Sequence, residues 1–154
     1  QINKLNGKKI IFTNGSKAHA ANVTGKIGID KLFDGVFDIV DSDFYPKPSI
    51  EPYKKIIENY NIEPEYCIFF EDIARNLKPA HELGMKTVWI KNKEPWAAEF
   101  SNENFIDYKI DNLSEFLRSI NEQKWFRNNK KTRSNIVVSA SMFNWPRYSN
   151  AFTL

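Results

Sequence analysis

Short apolar runs of strand length alternate with helical patterns along most of this chain, and that alternation limits the possible folds more than any single residue does. "KKIIFTNG" (8 to 15) is a β-branched and aromatic run ended by Asn-Gly, which reads as a buried strand entering a turn. Ser16 is placed to cap a helix with Ala20, Val23 and Ile27 on one face and Gly28 as its stop. "GVFDIVDSD" (35 to 43) reads as a second strand, and "YPKPS" after it as a loop, since each Pro disfavours helix at the preceding residue. Ser49 then opens a helix with Tyr53, Ile56, Ile57 and Tyr60 at helical spacing. "YCIFF" (66 to 70) and "KTVWI" (86 to 90) are further strands, separated by a helix over 74 to 84 that Gly84 ends. "DYKI" (107 to 110) offers a fifth, followed by a helix with Leu113, Phe116, Leu117 and Ile120 on one side. Strands alternating with helices in this way predict an α/β fold, a three-layer Rossmann-like parallel sheet covered by helices on both faces.

The 154 residues, 42% of them hydrophobic, suffice for one domain with a real core. No stretch of 18 apolar residues occurs and no signal-peptide pattern opens the sequence, so the expected location is cytoplasmic. The first residue is Gln1, which suggests processing or a fragment of a longer chain. Cys67 lies inside an apolar strand and reads as a small core residue rather than a nucleophile. The net charge of +3 is unevenly spread: six of the 22 basic residues and no acid fall from Lys124 onward, leaving 16 basic against 19 acidic residues before it. The chain therefore divides into a body, 1 to 123, and a basic, aromatic tail, 124 to 154. Basic residues interleaved with aromatics suit nucleic acid in general, but six charges without a defined motif do not make a nucleic-acid site, and a disordered or foreign extension is the expectation for this segment.

In parallel sheets covered by helices, ligands gather beyond the carboxyl ends of the strands. Thr13 and Asn14 follow the first strand, Asp41 and Asp43 the second, and Glu71 and Asp72 the third, with Lys47 just beyond the second. Adjacent carboxylates give a hard-cation site of the kind Mg2+ takes, with one or two acids plus water and phosphate. A lysine and a hydroxyl near a helix N-terminus would neutralise and hydrogen-bond a phosphoryl group. Taken singly, "TNG" is an ordinary turn, "PKP" a solvated loop and "ED" a helix cap; their common placement is what points to metal-assisted phosphate chemistry. His19 and His81 sit in helical patterns without a second ligand at suitable spacing.

The succession "IIFTNGS", "PKP" and "FFEDIARNL" resembles motifs two, three and four of the haloacid dehalogenase superfamily of phosphohydrolases. Over about residues 5 to 120, "FTNGSKAHAANV", "LFDGVFDIVDSDFYPKP" and "FFEDIARNLKPAHELGMKTVWI" are most similar to its pyrimidine 5′-nucleotidase-like branch. The resemblance implies that Thr13, with the Asn14 and Gly15 backbone, holds a transferring phosphoryl group, and that Lys47 steadies the charge on nucleophile and phosphoryl oxygens. It further implies that Asp72 and Glu71 bind Mg2+ and that Asn76 supports their loop. Lys17 and His19 match positions typical of the branch without a role to assign.

The departure from the family is at motif one. Its DxDxT supplies the Asp nucleophile from a central first strand, yet "QINKLNGKKI" before Thr13 contains no Asp. "DSD" at 41 to 43 imitates the motif in the wrong place. Both that strand and the cap domain that follows it in the family are expected to be missing. The strands at 10 to 13 and 66 to 70 should then pair directly or leave a gap, with trimming after Gln123 leaving the body's folding unchanged. The function implied is Mg2+-dependent hydrolysis of small phosphomonoesters, such as pyrimidine nucleoside 5′-monophosphates, through an aspartyl phosphate whose nucleophile is absent, so that the chain alone is expected to be inactive. The alternative is a non-catalytic fold serving as a binding or partner module.

Overall fold

The computed structural model describes residues 1 to 122 and 135 to 140. Among the described residues six strands form one parallel sheet: β1 (Lys9–Phe12), β2 (Gly35–Phe37), β3 (Cys67–Glu71), β4 (Lys86–Ile90), β5 (Tyr108–Ile110) and β6 (Asn135–Ser139). Their spatial order is β2-β1-β6-β3-β4-β5. The helices are α1 (Lys17–Lys26), α2 (Glu51–Tyr60), α3 (Leu77–Glu82), α4 (Pro95–Ala98) and α5 (Leu113–Glu122). The parallel sheet with helices on both faces is the fold the alternating pattern predicts.

Two apolar clusters cover the two faces of the sheet. On one, Ile10, Phe12, Phe69 and Val137 pack with Tyr53 and Ile56 of α2 and Leu77 and Ala80 of α3. Phe12 meets Phe37 and Tyr53 edge-on at 5.4 and 5.1 Å between ring centroids, an arrangement that pairs positive ring edges with negative faces. On the other, Ile11, Ile68, Phe70, Ile136 and Val138 pack with Ala20 of α1 and with Leu113, Leu117 and Ile120 of α5. Burial on both sides is why the central strands are continuously apolar rather than alternating.

The centre of the sheet departs from expectation. The slot between β1 and β3 is neither empty nor closed by direct pairing, because β6 fills it, in register with Ile10↔Val137 on one side and Phe69↔Val137 on the other. Asn135 fixes the start of the strand by accepting from Lys8 N at 3.3 Å, while Ile136 N donates to Lys8 O at 2.7 Å. Part of the basic tail therefore belongs to the core, which reverses the expectation for trimming after Gln123. The rest of the tail, 123 to 134 and 141 to 154, lies outside the described residues.

The second strand is also shorter than its apolar run. It stops at Phe37 because the Asp38 carboxylate takes the backbone N–H groups of Lys17, Val40 and Asp41, turning the chain away from the sheet. Asp43 and Phe44 follow with φ of 52° and 63°. Ser49 does not cap α2, whose N-cap is Ile50 with Pro52 in the first turn. The helix over 74 to 84 begins as a 3-10 turn, Ala74–Asn76, and α3 ends before Gly84, whose φ of +94° suits glycine at a helix stop.

Candidate functional site

The carboxyl ends of β1, β6 and β3 are adjacent, and one lysine joins all three. Lys47 enters from the loop after β2 and is fixed by Asn14: Lys47 N donates to Asn14 Oδ1 at 2.8 Å and Asn14 Nδ2 donates to Lys47 O at 3.2 Å. Its ammonium then donates to Phe12 O at 3.2 Å, Glu71 Oε2 at 2.8 Å and Ser139 Oγ at 2.8 Å. A lysine has three N–H donors, so this set uses all of them. The Nζ also lies 4.7 Å from the Phe12 ring centroid and 5.6 Å from that of Phe69, with the side chain 3% exposed.

Glu71 is fully buried and equally committed. Oε1 accepts from Asp72 N at 3.0 Å and Ile73 N at 3.1 Å, and Oε2 from Lys47 and from Asn76 Nδ2 at 3.3 Å. Burial alone would push its carboxyl up; the Lys47 charge and these hydrogen bonds outweigh burial and hold it below the usual value of 4.5. Asn76, 3% exposed, thus reaches the acid it follows in sequence, and its carbonyl accepts from the buried Tyr53 hydroxyl. Burial, and secondarily the Glu71 charge, push that phenol well above its usual range.

Thr13 is 6% exposed, and its N–H donates to Phe37 O while its hydroxyl accepts from Gly15 N at 2.9 Å. The tight turn that brings Gly15 back onto Thr13 leads directly to Ser16, which caps α1 by accepting from His19 N at 3.2 Å. Asp72 is 3% exposed; its Oδ2 accepts from Asn92 Nδ2 at 3.1 Å and its carbonyl from Trp89 Nε1 at 2.9 Å. Thr13, Lys47, Glu71 and Ser139 meet at one end of the sheet, with Asp72 next in chain after Glu71 and Asn14 on the adjoining loop. Asp41 and Asp43 do not join them: Asp41 pairs with Lys17 at 2.8 Å and Asp43 with Lys55. His19 is exposed, and the buried Cys67 thiol, pushed up to about 12 by burial, has no nucleophilic character.

Ser139 and Asn92 were absent from the sequence-based set. Asn92 stands two residues past the end of β4, so the strand-end rule that found Glu71 and Asp72 would have reached it. Ser139 gave no such signal, because its strand lies within a basic segment.

The family resemblance implies Mg2+, and the donor set is the test of whether these residues fit it. Glu71 has its acceptor positions filled by four donors, and the central strand ends in a neutral hydroxyl. Among the described residues no three His, Cys, Asp or Glu side chains come together in a metal-holding arrangement. The Asp72 carboxylate accepts from Asn92 Nδ2 at 3.1 Å. As they stand, these residues do not fit a Mg2+ site.

The central strand ends of this parallel sheet thus converge on a buried Lys–Glu pair beside a Thr-Asn-Gly turn. Residues 1 to 84 match the model of the haloacid dehalogenase-like hydrolases, and the chain belongs to that family. It is 26% identical over 114 residues to a glyceraldehyde 3-phosphate phosphatase of Pyrococcus furiosus, covering 73% of this chain and 47% of that protein. It is 29% identical over 103 residues to the glyceraldehyde 3-phosphate phosphatase of Methanocaldococcus jannaschii, covering 64% and 42%. Among solved structures, a HAD phosphatase from Thermococcus onnurineus superposes with a TM-score of 0.58 at 26% identity, over 73% of this chain and 50% of that one. The chain thus spans somewhat less than half the length of these two curated relatives.

Proposed function

We propose that this fold is the scaffold of a phosphohydrolase site for small phosphomonoesters, and that this chain by itself binds such esters weakly without hydrolysing them. The carrying observation is the convergence of Thr13, the Asn14-clamped Lys47 and Glu71 at the carboxyl ends of β1 and β3, the two strands that flank β6. In this reading the Thr13 hydroxyl and the 13 to 15 turn, at the positive end of α1, meet the phosphoryl oxygens, with Lys47 beneath as the fixed positive charge. The resemblance to the pyrimidine 5′-nucleotidase-like branch favours pyrimidine nucleoside 5′-monophosphates as substrates of the whole protein, whereas the names of two relatives favour a three-carbon sugar phosphate.

The second reading, a non-catalytic binding or partner module, is favoured by one specific feature. The strand end that faces Lys47 carries the Ser139 hydroxyl instead of a carboxylate. Ligand-observed 31P NMR with UMP, CMP and glyceraldehyde 3-phosphate tests both readings. Line broadening that Thr13→Ala abolishes, with no release of inorganic phosphate, is the expected result. Absence of broadening with every ester would remove the phosphate-site reading, and steady phosphate release would show that the chain is an active hydrolase.

A further inference from the structure

We propose that Asp38 is a positioning residue of this site: it joins the turn after β1 to the loop that carries Lys47, so that 13 to 17 and 38 to 47 open and close as one unit. The proposal rests on the reading of that turn as a phosphoryl cradle, but it concerns how the cradle is held and is testable without an ester.

Asp38 is 4% exposed and directs both carboxylate oxygens at backbone donors. Its Oδ2 accepts from Lys17 N at 2.9 Å, at the first residue of α1, and its Oδ1 from Val40 N and Asp41 N, each at 3.0 Å. The contact is returned, because Asp38 N donates to Asp41 Oδ2 at 3.1 Å and the Lys17 ammonium donates to Asp41 Oδ1 at 2.8 Å. Ile39 N donates to Gly15 O at 3.2 Å, which ties the same two segments once more. Burial would push the Asp38 carboxyl up, yet the three backbone donors and the Lys17 charge hold it below the usual 3.8, so it meets them as an anion. From this clamp the loop is braced along its length. Ser42 N donates to Asp38 O, Phe44 N to Ile39 O and Tyr45 N to Ser42 O, while Asp43 and Phe44 hold left-handed conformations that packed surroundings must impose. The loop ends at Lys47, whose backbone N–H donates to Asn14. Asp38 thus acts on Lys47 and on the Thr13 turn through the backbone, by fixing where each segment lies against the other.

The test is native-state hydrogen exchange of the full chain in graded urea, read residue by residue by NMR. The amides of Gly15, Lys17, Val40, Asp41 and Lys47 are expected to converge on one opening equilibrium, because each is hydrogen-bonded within the joined segments. Opening of Lys17 and Val40 separately from Lys47, with equilibria more than about tenfold apart, would overturn the proposal, and this measurement needs no variant. Asp38→Asn offers one acceptor oxygen in place of two, so it cannot serve both Lys17 N and the Val40 and Asp41 pair. It is expected to speed exchange at Gly15 and Lys47, as well as at Lys17, by about tenfold or more, the scale of a lost hydrogen bond to a charged group, while Phe69 and Val88 in the sheet are unchanged. Acceleration confined to Lys17, Val40 and Asp41 would overturn the proposal. With inorganic phosphate as the probe, Asp38→Asn should weaken 31P line broadening although it removes a negative charge, whereas Asp41→Asn, an equal change of charge that leaves the Asp38 carboxylate in place, should not. Equal or tighter phosphate binding by Asp38→Asn, or an equal loss in both variants, would overturn it as well. No broadening by the unchanged protein would instead remove the phosphate reading, and the exchange result would still decide this one.

Discussion

Replacing Lys47 by Met should reverse the sign of this protein's dependence on acid. Lys47 and Glu71 form an ion pair at 2.8 Å with side chains 3% and 0% exposed, so the substitution leaves a buried carboxylate without its counter-ion. Removing one partner of a buried pair costs about 3–5 kcal/mol, a large part of the roughly 5–15 kcal/mol that holds a typical domain together. Methionine keeps most of the packing against Phe12 and Phe69, so the loss is chiefly electrostatic. In the unchanged protein Glu71 titrates below its usual 4.5 when folded; it therefore contributes stability that is present above pH 4.5 and is lost as pH falls through the folded value. In Lys47→Met the burial contribution prevails and the folded value moves above 4.5. The variant's deficit is then full at neutral pH and shrinks as pH falls towards 4.5, because protonated Glu71 no longer needs a partner. Urea unfolding followed by far-UV circular dichroism at pH 7.5, 6.0, 5.0 and 4.5 measures this. A deficit below about 1 kcal/mol at pH 7.5, or one that does not change with pH, would refute the description of this pair, since a buried carboxylate that has lost the Lys47 charge must produce both effects. Lys47→Met combined with Glu71→Gln should recover at least half of the loss at pH 7.5.

Two other outcomes follow from the geometry. Ending the chain after Glu122 should abolish cooperative unfolding, because Ile136, Val137 and Val138 are each 5% exposed or less and burying three such side chains contributes roughly 5–9 kcal/mol; retention of a sharp urea transition would show that β6 is dispensable. Asn14→Ala removes both hydrogen bonds that fix the Lys47 backbone and should cost about 1–2 kcal/mol while weakening the phosphate-dependent 31P broadening, whereas undiminished broadening would show that Lys47 is positioned by other means.

How much of this was legible in the sequence varies from element to element, for physical reasons. β4 coincides with the run 86 to 90, because five consecutive residues with β-branched and aromatic members, begun soon after the Gly84 helix stop and ended before Lys91, leave little alternative. α5 shows its apolar stripe in the same way, as does α2 in its Tyr53 and Ile56. The second strand was overextended because periodicity does not register a side chain that competes for backbone N–H groups, and Asp38 does this at three positions. β6 was missed because three apolar residues, Ile136 to Val138, carry little weight within a segment dominated by lysine, arginine and asparagine. The site was half legible. Strand-end placement and motif order brought out Thr13, Lys47, Glu71, Asp72 and Asn76, but not the inward aim of the ammonium, which depends on the partner that β6 supplies.

The position of β6 also has a consequence for biosynthesis. Strands β1 and β2 on one side and β3, β4 and β5 on the other are complete in sequence well before Ser139, yet the two groups pair only through it. At roughly 5–20 residues per second, synthesis from Glu71 to Ser139 takes on the order of 3–14 s. During that interval the β1 and β3 edges that will flank β6 carry N–H and C=O groups with no final partner, and such edges readily template pairing with other chains. The nascent chain is thus most exposed to aggregation while it is being made, and the yield of folded protein depends on how soon its central strand follows the rest.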